Sequence, residues 1–270
     1  MNFYCKLDNA WRESNSLVCV GLDPDLDKIP KHLKSRPHAV FDFNKQIIDA
    51  TADLACAYKL QIAYYAGYAI EDQLTLTIKH IAENYPHLPI ILDAKRNDIG
   101  ATAEMYAKEA FDRYCADAVT VNPYLGGDAL LPFLNRKDKG TIILCRTSNP
   151  GGNDLQHREV AGRPLYQIVA EMAVNDWNEN ENVALVVGAT YPRELGEVRH
   201  IVGSMPLLVP GIGAQKGDLE GAVKNGLTES GEGMMINSSR GIIYAGDGPD
   251  FAQDARKATE ELRDAINQYR

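Results

Sequence analysis

Residues 88–98 read LPIILDAKRND, an apolar run that leads directly into a cluster of charged side chains. If the apolar run is a buried strand, Asp93 and Lys95 share one face, because side chains alternate along a strand. Asp98 follows three residues after Lys95, where a helical pattern begins, so a second carboxylate can return toward the same ammonium. The spacing predicts an ordered cluster of negative, positive and negative charge. Such a cluster is by itself more often a solvated ion pair, so its meaning depends on the rest of the chain.

The overall composition limits the classes of protein to consider. The chain has 270 residues, of which 45% are hydrophobic, and this size fits one large α/β barrel or two small domains. The formal net charge of -9 argues against a nucleic-acid partner or an anionic membrane surface. No window approaches the apolar length that crosses a bilayer, and residues 1–16 lack a basic segment followed by an apolar core. We therefore expect a soluble, cytoplasmic protein.

The cysteines and histidines do not form metal-binding patterns. The five cysteines are an odd number without a C-x-x-C pair, and three of them lie in apolar runs, as small buried hydrophobic residues do. The six histidines are scattered, with no pair four residues apart. We expect no protein-bound metal and no histidine acting as a catalytic base.

Eight apolar runs recur along the chain, and each is followed by a helical pattern. The runs are residues 17–20, 56–58, 89–92, 118–121, 141–144, 183–187, 207–209 and 234–236. Continuous apolar runs are typical of parallel strands that are covered on both faces. An open doubly wound sheet would more often carry fewer strands and an early G-x-G-x-x-G turn. The pattern predicts a single-domain (β/α)8 TIM barrel over residues 1–270.

Polar residues follow most of these runs, and in a barrel such residues face one another at one end. They are Asp23, Lys59, Asp93 with Lys95, Asn122, Ser148, Gln215 and Arg240. The four charges at the first three strands predict a site for a polar substrate. The sequences PGIG (210–213) and SSRG (238–241) follow the last two strands, where phosphate sites of these barrels lie. Free backbone amides and the Arg240 guanidinium there predict a phosphate site.

The long connections at residues 23–39 and 149–165 are expected to be lids over this end.

The motif Asp93-x-Lys95-x-x-Asp98, with Lys59 upstream and PGIGAQ (210–215) downstream, resembles the orotidine 5'-phosphate decarboxylase family in its longer-chain bacterial form. The likeness runs nearly end to end, with the motifs at different strand ends in the right order. It implies a homodimeric barrel with no metal and no organic cofactor, which converts orotidine 5'-monophosphate to uridine 5'-monophosphate in pyrimidine biosynthesis. It also implies that Lys59, Asp93, Lys95 and Asp98 form the catalytic charge network, with Asp98 reaching the partner subunit's site.

The resemblance further implies a set of substrate-binding residues. They are Asp23 for the ribose hydroxyls, Thr102 for the ribose or a polar group near the subunit boundary, Ser148 for the pyrimidine edge, and Gln215, Arg240 and Gly241 for the phosphate. Decarboxylation leaves an electron pair on a ring carbon, and without a cofactor the protein itself must stabilise it. We hypothesise that Lys95, kept charged by its acidic neighbours, stabilises this carbanion and then protonates it.

Three other functions fit parts of the pattern. A magnesium-dependent phosphosugar decarboxylase or epimerase keeps a similar D-x-K-x-x-D on a similar barrel, but Ser148 and Lys59 favour the nucleotide substrate. A Schiff-base aldolase is disfavoured, because its lysine must be neutral to attack a carbonyl and two carboxylates beside Lys95 favour the charged form. A barrel that only binds a nucleotide is disfavoured by the intact set of charges.

Overall fold

The computed structural model describes residues 1–212 and 218–270. Its strands are β1 (Val18–Leu22), β2 (Ala57–Gln61), β3 (Ile90–Arg96), β4 (Ala118–Val121), β5 (Gly140–Arg146), β6 (Glu159–Val160), β7 (Arg163–Pro164), β8 (Val183–Val187), β9 (Leu207–Pro210) and β10 (Met234–Ser238). All except the antiparallel pair β6 and β7 are parallel and close into a barrel in the order β1-β10-β9-β8-β5-β4-β3-β2. Each predicted apolar run overlaps one barrel strand, so the predicted (β/α)8 barrel is confirmed.

Helices connect the strands and cover the outside of the barrel. They are α1 (Phe3–Ser14), α2 (Ala39–Thr51), α3 (Ile62–Gly67), α4 (Glu71–Asn84), α5 (Gly100–Lys108), α6 (Gly127–Leu134), α7 (Leu165–Asn175), α8 (Pro192–Val202), α9 (Leu219–Gly226), α10 (Arg240–Ile243) and α11 (Phe251–Asn267). Short 3-10 segments span Pro123–Leu125 and Pro150–Asp154, and a π-helical turn spans Glu109–Arg113. None of the described helices is both long and apolar enough to span a bilayer.

The helix α1 covers the end of the barrel where the strands begin. Phe3, Leu7 and Trp11 recur at intervals of four residues and are buried, so one face of α1 packs on the core. The Trp11 indole donates a hydrogen bond of 2.8 Å to the carbonyl of Met234, the first residue of β10. The opposite end, where the strands finish, is not covered by α1.

Several barrel strands extend further than their apolar runs. Lys59 is the third residue of β2, and both Asp93 and Lys95 lie within β3 rather than past its end. Gln61 pairs with Asp93 in the register of β2 and β3, so the charged residues still belong to the sheet. Charged residues are tolerated there because the final residues of these strands line the open end of the barrel. Placing them beyond the strands was wrong, although the predicted end of the barrel was right.

The two long connections are more ordered than simple loops. Ile29 and Leu33 are buried, and they anchor the connection after β1 to the core. The connection after β5 contains the 3-10 segment Pro150–Asp154 and the β6–β7 hairpin. Movement of either connection as a lid stays a prediction.

Candidate active site

A cavity of about 460 Å³ lies at the carboxyl ends of the barrel strands. This volume is in the usual range for small-molecule sites, and the position is the one that active sites occupy in this architecture. Seven residues proposed from the sequence line it: Asp23, Lys59, Asp93, Lys95, Ser148, Arg240 and Gly241. The charged strand ends and the arginine loop therefore share one cavity.

A chain of alternating charges crosses the bottom of this cavity. The Asp93 carboxylate accepts a hydrogen bond of 2.9 Å from Lys59 Nζ through one oxygen and one of 2.7 Å from Lys95 Nζ through the other. Lys59 Nζ also lies 3.7 Å from Asp23 Oδ1. The Lys59 side chain is 5% exposed, whereas that of Lys95 is 46% exposed. Lys59 is thus enclosed by acids, and Lys95 keeps a free face toward the cavity.

The electrostatics keep the enclosed groups charged. Burial by itself would lower the pKa of Lys59, but the carboxylates of Asp23 and Asp93 outweigh it and raise that pKa above the ordinary lysine value. Burial by itself would raise the pKa of Asp93, but Lys59 and Lys95 outweigh it and hold that pKa well below the ordinary carboxyl range. Both groups therefore carry full charge near neutral pH.

Thr120 in β4 holds this arrangement in place, and sequence reasoning missed it. Its hydroxyl donates a hydrogen bond of 2.8 Å to Asp93 and accepts bonds of 3.0 Å from the backbone N–H groups of Ala94 and Lys95. The register of β3 against β4 shifts here, and Lys95 has a φ of 47°. Lys95 and Asp93 therefore meet through a local bulge rather than through the regular alternation that we expected.

The cavity has an apolar wall as well as a charged one. Leu144, Val186, Leu208, Pro210 and Ile212 line it, and the first four of these belong to β5, β8 and β9. In the barrel order, β8 and β9 lie opposite β2 and β3, which carry the charges. An apolar surface facing ionised groups suits a flat ring with polar substituents.

Asn237 in β10 is a second cavity residue that sequence reasoning missed. Its Oδ1 is buried and has no hydrogen-bond partner among the described residues, and the same is true of Asp23 Oδ1. Both side chains line the cavity, but Asp23 Oδ1 is also the oxygen that lies 3.7 Å from Lys59 Nζ. Of the two, Asn237 Oδ1 is the oxygen with hydrogen-bonding capacity left for a ligand. The signal was present, because Asn237 is a polar residue directly after the apolar run 234–236.

Two proposed residues do not join the cavity within one chain. Asp98 accepts a hydrogen bond of 2.8 Å from the N–H of Ile99 and forms no ion pair with the described residues, so its expected return toward Lys95 in the same chain is wrong. Thr102 is exposed near the start of α5. Whether both meet the site of a second subunit stays a prediction. Gln215 lies outside the described residues.

The described residues contain no group of three histidine, cysteine or acidic side chains placed to hold a metal ion. The two acids of the cavity, Asp23 and Asp93, are both ion-paired with Lys59. Lys59 thus takes the position that a cation shared by these two carboxylates would need.

Comparison with known proteins agrees with this geometry. A model of the "Orotidine 5'-phosphate decarboxylase / HUMPS family" matches residues 16–255. A Janthinobacterium protein named orotidine 5'-phosphate decarboxylase is 59% identical, with 100% of this chain and 99% of that protein covered. An Azoarcus protein of the same name is 58% identical over the whole of both chains.

Solved structures extend the likeness to three dimensions. The OMP decarboxylase of Leishmania donovani is 39% identical with a TM-score of 0.87, covering 100% of this chain and 99% of its own. The UMP synthase of the same organism is 40% identical with a TM-score of 0.89, and this chain covers 56% of that longer protein. Because the family model matches most of the chain and full-length relatives exceed half identity, the chain belongs to the orotidine 5'-phosphate decarboxylase / HUMPS family.

Proposed function

We propose that this chain converts orotidine 5'-monophosphate to uridine 5'-monophosphate and carbon dioxide, a step of pyrimidine biosynthesis. The observation that carries the proposal is the chain Lys59–Asp93–Lys95 at the bottom of a cavity that Arg240 also lines. A nucleotide with a phosphate at one end and a ring carboxylate at the other needs a cation at each end, and Arg240 and Lys95 supply them.

Lys95 is the group that handles the reacting carbon. The bond between the ring and the carboxylate breaks, carbon dioxide leaves, and the electron pair stays on the ring carbon. The Lys95 ammonium stabilises this pair and then donates a proton to it, which gives the product ring; solvent restores the proton to the amine. The exposed face of Lys95 supports this role, because the ammonium can reach a ligand while Asp93 holds it.

Asp93 and Lys59 prepare the site before substrate arrives. Asp93 orients Lys95, and Lys59 with Thr120 fixes Asp93, so little reorganisation is needed during the reaction. A substrate carboxylate held at Lys95 would also lie beside the ionised Asp93, because Asp93 bonds Lys95. Their repulsion, if the two groups come into contact, is relieved when carbon dioxide leaves.

The remaining cavity residues bind the rest of the nucleotide. Asp23 lines the cavity, and its carboxylate accepts hydrogen bonds from the ribose hydroxyls. Ser148 lies beside the apolar wall and serves the pyrimidine edge. Arg240 and Gly241 bind the phosphate together with Gln215. Binding energy from the phosphate, which is remote from the reacting carbon, is then used to assemble the site.

The working unit is proposed to be a homodimer in the cytoplasm. Large apolar side chains are exposed on one part of the surface. They are Ile99 just before α5, Met105 in α5, Tyr124 and Leu125 in the 3-10 segment before α6, and Leu131 in α6. A second copy covering them would also bring Asp98 and Thr102, which lie next to this patch, toward another subunit's site.

A magnesium-dependent phosphosugar reaction is disfavoured, because Lys59 pairs with both cavity acids.

The test is the loss of orotidine 5'-monophosphate absorbance with purified protein. Wild type is expected to turn over, and Lys95→Ala is expected to lose at least about a thousandfold in kcat because both carbanion stabilisation and the proton are removed. Binding of uridine 5'-monophosphate, measured by calorimetry, should survive in this variant. The control Lys257→Ala alters an exposed lysine of α11 and should behave as wild type. Near-normal turnover by Lys95→Ala would refute the assigned role.

A further inference from the structure

Arg146, the last residue of β5, is fully buried although it is charged. No carboxylate among the described residues lies within salt-bridge distance of it, and its Nε has no hydrogen-bond partner there. Burying an arginine without an acid is costly, and a well-packed apolar residue would be cheaper for stability alone. The groups that Arg146 contacts therefore decide which role it has.

Neutral groups surround the guanidinium instead. It donates hydrogen bonds of 2.7 Å to Asn153 Oδ1 and of 3.3 Å to Gln156 Oε1 and to the carbonyl of Thr147. The plane also lies 3.5 Å from the ring centre of Tyr191, which follows β8. Arg146 thus joins three parts of the open end of the barrel: the end of β5, the connection after β5 and the connection after β8.

Gln156 carries this contact to the edge of the cavity. Its side chain accepts a hydrogen bond of 2.9 Å from the N–H of Thr147, and its amide donates one of 2.9 Å to the Thr147 hydroxyl. A Cβ on Gly152 would lie 2.8 Å from both Arg146 and Gln156, so a glycine is needed for the connection to pack this closely. The backbone at Thr147, a cavity residue, is therefore fixed from one side.

Ser148 is fixed from the other side. Its carbonyl accepts a hydrogen bond of 3.1 Å from the Thr190 hydroxyl, and Gly188 donates one of 2.7 Å to the carbonyl of Arg146. A Cβ on Gly188 would lie 2.7 Å from Ser148 Cα. The position of Ser148 thus depends on the packing between these two connections, which Arg146 holds together.

We propose that Arg146 is a positioning residue that acts through Ser148, setting where the Ser148 hydroxyl meets the edge of the pyrimidine ring. The proposal rests on the proposed function, because it takes Ser148 as the contact to the ring. Planar geometry is essential to it: a lysine has neither the fork that reaches three acceptors nor the plane that stacks on Tyr191.

The test is a double-mutant cycle in the orotidine 5'-monophosphate assay, with Arg146→Met chosen because methionine roughly preserves the buried volume. Arg146→Met is expected to lower kcat/KM about a hundredfold, as small misplacements of substrate do, and to raise KM and weaken binding of uridine 5'-monophosphate. In a Ser148→Ala background the same change should cost less than about threefold, because the group that it positions is already absent. A loss of stability alone would reduce the number of active sites and leave KM unchanged.

Arg199→Met is the matched control. Arg199 is also buried, and its guanidinium bonds the carbonyls of Gly203, Met205, Gly226 and Gly233, which precede β9 and β10 at the far end of the barrel. We expect it to lower stability and leave KM unchanged. If Arg146→Met does not fold, Gln156→Leu is the second test, because it keeps the buried charge but removes the bridge to Thr147. Gln156→Leu is expected to lower kcat/KM about tenfold. This loss should also vanish in a Ser148→Ala background.

Equal losses with and without the Ser148 hydroxyl would overturn the proposal. So would recovery of wild-type kcat/KM in Arg146→Lys, because charge alone would then suffice. Failure of the wild type to turn over substrate would count against the proposed function itself. Turnover with additive losses would count only against the role of Arg146.

Discussion

Asp93 accepts hydrogen bonds from two ammonium groups and one hydroxyl while only 9% of its side chain is exposed. Removing one member of such a buried network leaves the others uncompensated, and the cost exceeds that of any exposed ion pair. The same network sets the position of Lys95. Substitutions in this network should therefore affect stability, the pH dependence of stability and turnover together.

Asp93→Asn is expected to lower the free energy of unfolding by about 3 kcal/mol at pH 7, since it breaks a buried pair. The folded pKa of Asp93 lies below its unfolded value, so its stabilisation is present above the ordinary carboxyl pKa and is lost as pH falls. The difference in free energy of unfolding between wild type and variant, measured in urea, should narrow by about 1 kcal/mol as the pH falls from 6 to 3. Asp138→Asn, at an exposed aspartate, should show no such gap. A gap independent of pH would contradict the prediction.

Thr120→Val removes one hydroxyl and keeps the shape of the side chain. We expect kcat to fall about tenfold or more, because the bulge that holds Lys95 loses its hydrogen bonds, and stability to fall by about 1 kcal/mol. Thr141→Val is the matched control: Thr141 is buried in the neighbouring strand β5, and its hydroxyl has no partner among the described residues. Steady-state kinetics and urea unfolding of both variants make the comparison. Equal kcat values in the two variants would show that the Thr120 hydroxyl does not support Lys95.

At the scale of elements, the site depends on how neighbouring connections pack. β5 and β8 are adjacent in the barrel, and the connections that follow them meet at Ser148. Gly188 lies at this meeting point, where its missing side chain leaves room for the Ser148 backbone. The close approach is a property of the pair of connections, since neither alone would place Ser148.

Gly188→Ala should displace the connection after β5 and lower kcat/KM about tenfold, because the new Cβ would overlap Ser148. Gly67→Ala serves for comparison, since a Cβ at Gly67 would meet no atom within 4 Å. It should leave the kinetics unchanged. Steady-state kinetics of the two variants side by side decide the matter, and a wild-type kcat/KM in Gly188→Ala would show that the contact relaxes without effect.

At the scale of the whole molecule, one chain by itself does not bring every predicted catalytic charge into the cavity. Asp98 binds only a neighbouring backbone N–H among the described contacts, and it lies beside an exposed apolar patch that includes Met105 and Tyr124. Burying that patch against a second copy is favourable. If Asp98 then reaches the other subunit's Lys95, each site needs residues from two chains.

Subunit mixing tests this arrangement. Lys95→Ala and Asp98→Ala should each be nearly inactive alone, and after exchange of subunits about a quarter of wild-type activity should return, because half of the dimers are mixed and each contains one intact site. Met105→Glu should weaken the dimer, as measured by sedimentation. Mixing Lys95→Ala with Asp93→Ala, which lie in the same site, should restore nothing. If the first mixture also stays inactive, Asp98 does not act across subunits.

Much of this protein was predictable from its amino-acid order. The eight apolar runs identified every barrel strand, because parallel strands buried on both faces need continuous apolar residues. The strand-end rule found Asp23, Lys59, Asp93 and Lys95, since the carboxyl ends of barrel strands converge whatever their distance in sequence. Asn237 could have been found by the same rule, because it follows an apolar run directly.

Tertiary structure alone decided the remainder. Thr120 lies inside an apolar run and Arg146 lies two residues after another, and neither position shows locally which groups its side chain contacts. Their importance comes from atoms 25 to 27 residues away for Thr120 and from the connection after another strand for Arg146. Hydrophobic periodicity records which face of an element is buried, and it therefore determined the barrel and the end that carries the site. It does not record which side chains from different strands touch, because those contacts arise only when the barrel closes.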